Sequence, residues 1–397
     1  MRFLAAYRRL FAIPGTVAFW TMALIGRLPL SMVGLGYVLL VQHVTGSYGV
    51  AGTVSAAYTI TFAVGAVVHG RLIDRLGQGM VLRITGILFG VAVALTTMAA
   101  QLEWPRALVY VLAAISGATV PQNGSAVRAR WTYLLSDRHD RHTAFALESM
   151  ADETVYIVGP VLATVLATSI HPAIGLLLAA VVGLAGTVAF SLLRSTEPPV
   201  DPTHHEHGMR PPIGWRAMGA LGLVAASFGM AFGGYEVTTV AFAREHGHPG
   251  LGGVLLALSS VGSLVAGLVI GTIRWRQTPT TRLRIATAAF AVSLVPLCFI
   301  HSLWLLGAVM LLGGLTIAPG MVGLSAFTES AVPPSRLTEG MALIGTGIVA
   351  GVAPGSAVTG YVIDNHGASA AFIVVAAAAF AGAIVTFLLP PTRAAAD

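Results

Sequence analysis

The sequence predicts an all-α integral membrane protein of twelve transmembrane helices arranged as two pseudo-symmetric six-helix bundles. Three observations predict it. Of 397 residues 56% are hydrophobic and only 10% charged, with a mean hydropathy of +0.82, whereas a soluble domain is about 25% charged. Apolar runs of roughly 20 residues, the length that crosses a hydrocarbon core of about 30 Å, recur along the whole chain. The second half also repeats features of the first.

The runs fall at 14–42, 48–69, 81–101, 107–127, 143–169, 172–193, 215–243, 250–271, 283–301, 303–325, 337–361 and 368–390. Gly233-Gly234 marks an expected bend or tilt in the long seventh span. Nothing alternates in the short segments of a membrane β-barrel. The start, "MRFLAAYRRLF", has a positive flank, but the apolar run after it is full length and lacks a small-residue cleavage site, so it reads as a retained first helix. Glycine, with 46 copies, suits helices that approach closely in lipid. The single cysteine, Cys298, excludes an intramolecular disulfide and reads as packing.

Orientation follows from the arginines, since lysine is absent and all 22 basic residues are Arg. Nineteen of them, from Arg2, Arg8 and Arg9 through Arg128 and Arg130 to Arg336 and Arg393, lie in alternate loops, while the opposite loops hold only Arg106 and Arg244. The positive-inside rule then puts both termini in the cytoplasm of a cell whose cytoplasmic membrane the chain spans. The pI near 9.9 reports loops facing anionic lipid headgroups and gives no reason to expect nucleic acid.

"STEPPVDPTHHEHGMRPPIG", rich in proline and charge, reads as a cytoplasmic linker over 195–214, between bundles at 1–194 and 215–397. Across it, "GVAGTVSAAYTITFAVGAVVHGRLIDR" from Gly49 lies over "GLGGVLLALSSVGSLVAGLVIGTIRWR" from Gly250, with Gly52/Gly253, Ala56/Ala257, Gly70/Gly271 and Arg75/Arg276 coinciding. "GATVP" at Gly117–Pro121 likewise echoes "GLTIAP" at Gly314–Pro319. Parallel repeats with a binding site between them at the membrane midplane are a transporter design.

"GRLIDRLGQGMVLR", residues 70–83, resembles the G-x-L-x-D-R-x-G-R-[RK] signature of the major facilitator superfamily at the same place between spans 2 and 3. Gly70, Leu72, Asp74, Arg75 and Gly77 match, while Gln78 and Gly79 replace the usual basic residues. The resemblance covers the whole chain. It implies that Asp74 and Arg75 fasten this loop to the other half in the outward-open state, with Gly70 and Gly77 allowing a tight turn and close helix approach. The second copy, from Gly271, has basic charge but no acid. In span 5, "VGP" (Val158–Pro160) resembles the end of an exporter motif without its flanking glycines, and "GRLPLSM", "AVRARW" and "ESMADETVYIVGP" are similar to actinobacterial exporter-like members. In span 11, Gly347, Gly351 and Gly355 form a stripe that reads as a packing surface.

Buried charge supplies the candidate chemistry. "ALESMADETVYIVGP" carries Glu148, Asp152 and Glu153 into span 5, and "WTMALIGRLPL" carries Arg27 into span 1 at similar depth. A mid-helix charge costs roughly 2.5–3.5 kcal/mol to insert, so such groups face a partner or water. Asp152 is the first candidate, with Glu148 one turn away on its face and Glu153 rotated about 100°. The expectation is that Arg27 pairs with Asp152 or Glu153 until substrate or a proton disrupts the pair; helix locking is the alternative role. Glu236, in "FGMAFGGYEVTTVAF", is a second intramembrane acid, a proton site, an outer gate or a wet rim carboxylate. Tyr58, Thr61, Gln122, Asn123 and Tyr156 are polar candidates for a cavity lining, each also suited to an interhelical hydrogen bond.

"HHEH" at 204–207 lies between prolines and reads as a polar run more than a metal site. No phosphate loop, zinc helix motif or nucleophile elbow appears, so neither cofactor nor metal is expected. The leading expectation is a monomeric, proton-coupled exporter of a small organic molecule. An importer or facilitator of the same fold is the alternative, and an intramembrane enzyme or non-transporting sensor is the alternative of another class.

Overall fold

A computed structural model describes residues 8–199, 215–270, 277–332 and 337–390. The linker beyond 199, the "HHEH" run, the first six residues of the second motif copy (271–276) and the outermost arginines (Arg2, Arg210, Arg274, Arg276, Arg336, Arg393) lie outside the described residues. Within them the chain is helical, without strands. The helices are α1 (Thr16–Arg27), α2 (Pro29–Thr45), α3 (Tyr48–Leu76), α4 (Gln78–Gln101), α5 (Arg106–Ala118), α6 (Asn123–Leu134), α7 (Arg138–Ser169), α8 (Pro172–Leu192), α9 (Trp215–Glu245), α10 (Leu251–Ile270), α11 (Pro279–Leu294), α12 (Leu303–Gly314), α13 (Ile317–Ala331), α14 (Leu337–His366) and α15 (Ala368–Val385).

Eleven of the described helical runs are long and apolar enough to cross a membrane. The fourth expected span, 107–127, is absent from that number because it is two shorter helices, α5 and α6, interrupted at Thr119–Gln122. Pro121 has no N–H to give and disfavours helical backbone before it. One freed carbonyl, that of Val120, accepts a bond from His69 Nδ1 at 3.3 Å. The echo in the second half behaves likewise: α12 stops at Gly314 and α13 resumes at Ile317. The first span is jointed too, since α1 ends at Arg27 and α2 restarts with Pro29 in its first turn, where a missing N–H costs least. By contrast α9 runs unbroken through Gly233 and Gly234. A Cβ at Gly233 would strike the Val352 carbonyl and one at Gly234 would lie 2.8 Å from Thr359 Cγ2. These glycines admit α14; they end nothing.

Two compact units divide the chain, residues 1–40 with 60–206, and residues 41–59 with 207–397. In the first, Phe19, Ala23, Leu82, Val127, Trp131, Leu147 and Phe190 meet in a buried core. Small residues let its helices touch: a Cβ at Gly186 on α8 would lie 2.5 Å from the Gly26 nitrogen of α1. In the second unit α9 packs along α14, and the expected glycine stripe makes that contact, with Gly347 facing Ala225 and Gly222, Gly351 facing the Ala226 carbonyl, and Gly355 facing the Met230 carbonyl.

Candidate functional site: a buried charge cluster in the first unit

The joint between α1 and α2 places Arg27 at the last turn of α1, where it is 1% exposed. Its Nε donates to the Ala23 carbonyl at 3.2 Å. The rest of its guanidinium faces α7. Nη1 donates to Asp152 Oδ1 at 2.8 Å, and Nη2 lies 2.7 Å from Glu148 Oε2. Glu148 and Asp152, one turn apart on α7, thus share one cation. Glu153 is rotated away and makes no ion pair among the described residues, so of the two expected partners only Asp152 is engaged, with Glu148 added.

Two further side chains complete the cluster, and the sequence reading missed both. Arg128, on α6, donates from Nη2 to Asp152 Oδ2 at 2.7 Å and from Nη1 to the Gly124 carbonyl at 3.1 Å. Trp131, one turn further along α6, donates its indole N–H to Glu148 Oε1 at 2.8 Å. Arg128 was counted among the loop charges; it lies on α6 and faces the intramembrane acid.

Exposure grades the four charges. Arg27 and Glu148 are 1% and 0% exposed at their side chains, whereas Asp152 and Arg128 are each 37% exposed. An inner pair is sealed and an outer pair is reachable. Two cations and two anions balance, as buried charges must, and Asp152 spans the two levels with one oxygen on each guanidinium.

A collar closes the same unit at the end of α6. Arg130, also counted as a loop charge, is fully buried. It donates to Gln78 Oε1 at 3.0 Å, the Leu193 carbonyl at 2.7 Å and Thr196 Oγ1 at 2.9 Å, and its guanidinium lies 4.1 Å from the Phe190 ring centre. The Gly79 N–H, in the open first turn of α4, donates to Glu197 at 2.7 Å. Gln78 and Gly79, the two departures from the signature, are thus the residues that take these contacts. The turn is made at Gly77, whose φ is +84°. Gly70 sits inside α3 and a Cβ there would meet nothing within 4 Å, so it makes neither the turn nor a close approach. Asp74 and Arg75 are exposed near the end of α3.

The cavity candidates scatter. Asn123 is 1% exposed and ties three helices, its Nδ2 donating to the Gly26 carbonyl at 3.0 Å and to Thr187 Oγ1 at 2.8 Å. That is an interhelical bond. Gln122 donates to the Val120 carbonyl of its own loop. Tyr156 is half exposed, Tyr58 is buried in the second unit, and Thr61 lies just inside the first. Glu236, on α9 in the second unit, has no hydrogen bond or ion pair among the described residues.

The sequence matches the profile of the Major Facilitator Superfamily over residues 19–295 and 282–397. The chain belongs to the major facilitator superfamily. Solved structures of that fold agree. A mutant of the nucleoside transporter NupG superposes with a TM-score of 0.73 at 13% identity, over 94% of this chain and 99% of that one. The human organic anion transporter MFSD10 (TETRAN) gives 0.61 at 19% identity, over 95% and 100%, and the POT family transporter PepTSo gives 0.70 at 13%, over 93% and 96%. No curated relative matches the sequence. This superfamily member is a multi-pass membrane transporter, and its charge cluster sits wholly within the first unit.

Proposed function

We propose that the protein moves a small organic molecule across the cytoplasmic membrane by alternating access, with both termini cytoplasmic, and that Asp152 is the group that couples transport to protons. The observation that carries this reading is the division of one reachable carboxylate between a sealed and a reachable guanidinium. A proton on Asp152 weakens both bonds at once, while Glu148 still neutralises Arg27. The outer pair can therefore exchange partners without leaving the inner cation alone. The VGP run of span 5 and the similarity to exporter-like members favour efflux in exchange for protons as the direction. The protein works as a monomer in this reading.

A stability screen across compound classes identifies a ligand, and reconstitution with an imposed pH gradient then tests the coupling. Wild-type protein is expected to accumulate the ligand uphill while protons move the other way, and Asp152→Asn to abolish accumulation while leaving insertion intact. Uphill transport that survives unchanged in Asp152→Asn overturns the assignment. Gradient-independent equilibration by the wild type marks a facilitator, and chemical conversion of the ligand in detergent marks an enzyme.

A further inference from the structure

One histidine at the end of α9 has both ring nitrogens on carbonyl oxygens. His246 follows Glu245, the last residue of α9, and is half-buried. Its Nδ1 lies 2.9 Å from the carbonyl oxygen of Phe242, one turn back, and its Nε2 lies 3.0 Å from that of His301. His301 stands in the short segment between the helical turn Val295–Phe299 and α12, and all these residues belong to the second unit. A neutral imidazole has one N–H and one lone pair, whereas the imidazolium donates from both nitrogens. Only the protonated ring can answer two carbonyls. In either neutral tautomer a nitrogen lone pair is left facing an oxygen lone pair, so one of the two contacts opens.

The surroundings hold the ring in place without pairing it to an acid. It stacks on Phe242, with centres 4.0 Å and planes 23° apart, and stands at the C-terminal end of α9, where the helix dipole favours a cation. The titratable and charged groups at this end of the unit are Arg244, Glu245 and His248 beside it, His43 on α2, Tyr48 on α3, Asp364 and His366 on α14, and Cys298 and His301 before α12. The helices α10, α12 and α15 carry none. Among the described residues no side chain bonds to the ring; its two partners are backbone carbonyls. Glu245 accepts from the Ala368 N–H at 2.8 Å instead. What joins His246 to His301 therefore depends on the histidine's own proton.

The helix that follows His301 is a separate short piece. α12 is 12 residues long and is jointed to α13 at Leu315–Thr316, so a contact at His301 fixes its free end. We propose that His246 is a proton-operated tie: protonated, it fastens the entry of α12 onto the end of α9, and loss of the proton frees that entry. Histidine exchanges this proton between roughly pH 5 and 8. The tie is complete on the acid side of that range and weakens as the pH rises through it. With both termini cytoplasmic this end of α9 faces outward, and for the side it senses the inference rests on the reading above. External acidity, apart from any gradient, then sets how firmly the outer pieces of spans 7 and 10 are joined.

Hydrogen–deuterium exchange of peptides over residues 300–308, in lipid nanodiscs without ligand and corrected for the intrinsic pH dependence of exchange, reads the tie. Wild-type protection is expected to fall several-fold from about pH 5.5 to about pH 8, the two sides of the histidine range. His246→Phe, which keeps a stacked ring and removes both donors, should be weakly protected at both, and His246→Arg, which donates at every pH, protected at both. Wild-type protection that ignores pH overturns the tie, as does an equal fall in His246→Phe, which assigns it to another group. Should His246→Phe not assemble, a fall that persists in His246→Arg overturns the proposal equally. For the side, His248→Cys, at an exposed position, in a Cys298→Ser background is expected to react with a membrane-impermeant maleimide on intact cells; reaction only after permeabilisation overturns the outward assignment. If protection follows pH while Asp152→Asn still drives uphill transport, only the coupling reading fails. If protection ignores pH in protein that transports uphill, only the tie fails.

Discussion

Trp131 donates its indole N–H to Glu148 at 2.8 Å, with both side chains fully buried. The bond joins the second half of a broken helix to the acid that neutralises Arg27, so the interruption of span 4 and the charge of span 5 form one construction. Trp131→Phe keeps an aromatic ring in the core beside Phe19 but removes the donor and part of the indole's buried volume. It is expected to cost at least about 1.5–3 kcal/mol, the range for a hydrogen bond to a charged group, with the cavity adding to it, read as a lower Tm of the purified protein.

Removing one member of the inner pair should be worse than removing both. Arg27→Met leaves Glu148 buried without its cation, a loss of about 3–5 kcal/mol for broken buried pairs. The double variant R27M/E148M replaces the pair by apolar volume but leaves the buried Trp131 N–H without its acceptor, and is expected to recover part of that loss. A thermal-unfolding double-mutant cycle checks the sign; a double variant less stable than R27M alone would contradict it.

Arg128→Gln should separate stability from function. At 37% exposure the Arg128–Asp152 pair is screened by solvent, and its loss is expected to change stability by no more than about 1 kcal/mol. Gradient-driven accumulation is expected to fall on the order of tenfold, the effect of losing about 1.4 kcal/mol at a rate-controlling step. Flux in proteoliposomes against Tm in detergent measures the two together.

Two glycines six residues apart on α14 should behave oppositely. A Cβ at Gly351 would strike the Ala226 carbonyl, and backbone cannot rotate aside, so Gly351→Val is expected to exceed the about 1–3 kcal/mol of ordinary overpacking and to lose folded protein. Gly345 faces open space; Gly345→Ala should hold or raise stability by up to about 1 kcal/mol through helix propensity. Expression with size-exclusion profiles distinguishes them.

What could be read from the residues alone follows from what each signal measures. Hydropathy sums side chains, so it located the spans yet could not register that the helix is interrupted at Thr119–Gln122, even with Pro121 in view. The same sum cannot tell an arginine at a helix end from one in a loop: Arg128 and Arg130 were counted with the loop charges, and both face inward. Trp131 counted as apolar bulk, and only its neighbour across the bundle reveals its donor. The pairing of Arg27 with Asp152 was accessible because both charges stand isolated in apolar runs, at depths that helical rise can compare. Glu148 as a second partner needed the actual helix rotation. At Gly233-Gly234 the helix is unbroken and the pair admits α14; a glycine pair signals either flexibility or close approach, and only the facing helix shows the second.

The order of synthesis gives the sealed Arg27–Glu148 pair a further consequence. Arg27 leaves the ribosome in the first span, and the glutamate that neutralises it follows 121 residues later. Until then a nascent first helix carries an uncompensated guanidinium that makes residence in lipid alone unfavourable by roughly 2.5–3.5 kcal/mol. The insertion machinery has to hold or shelter that helix through the next three spans, and the arrival of the fifth is what commits the first to the bilayer.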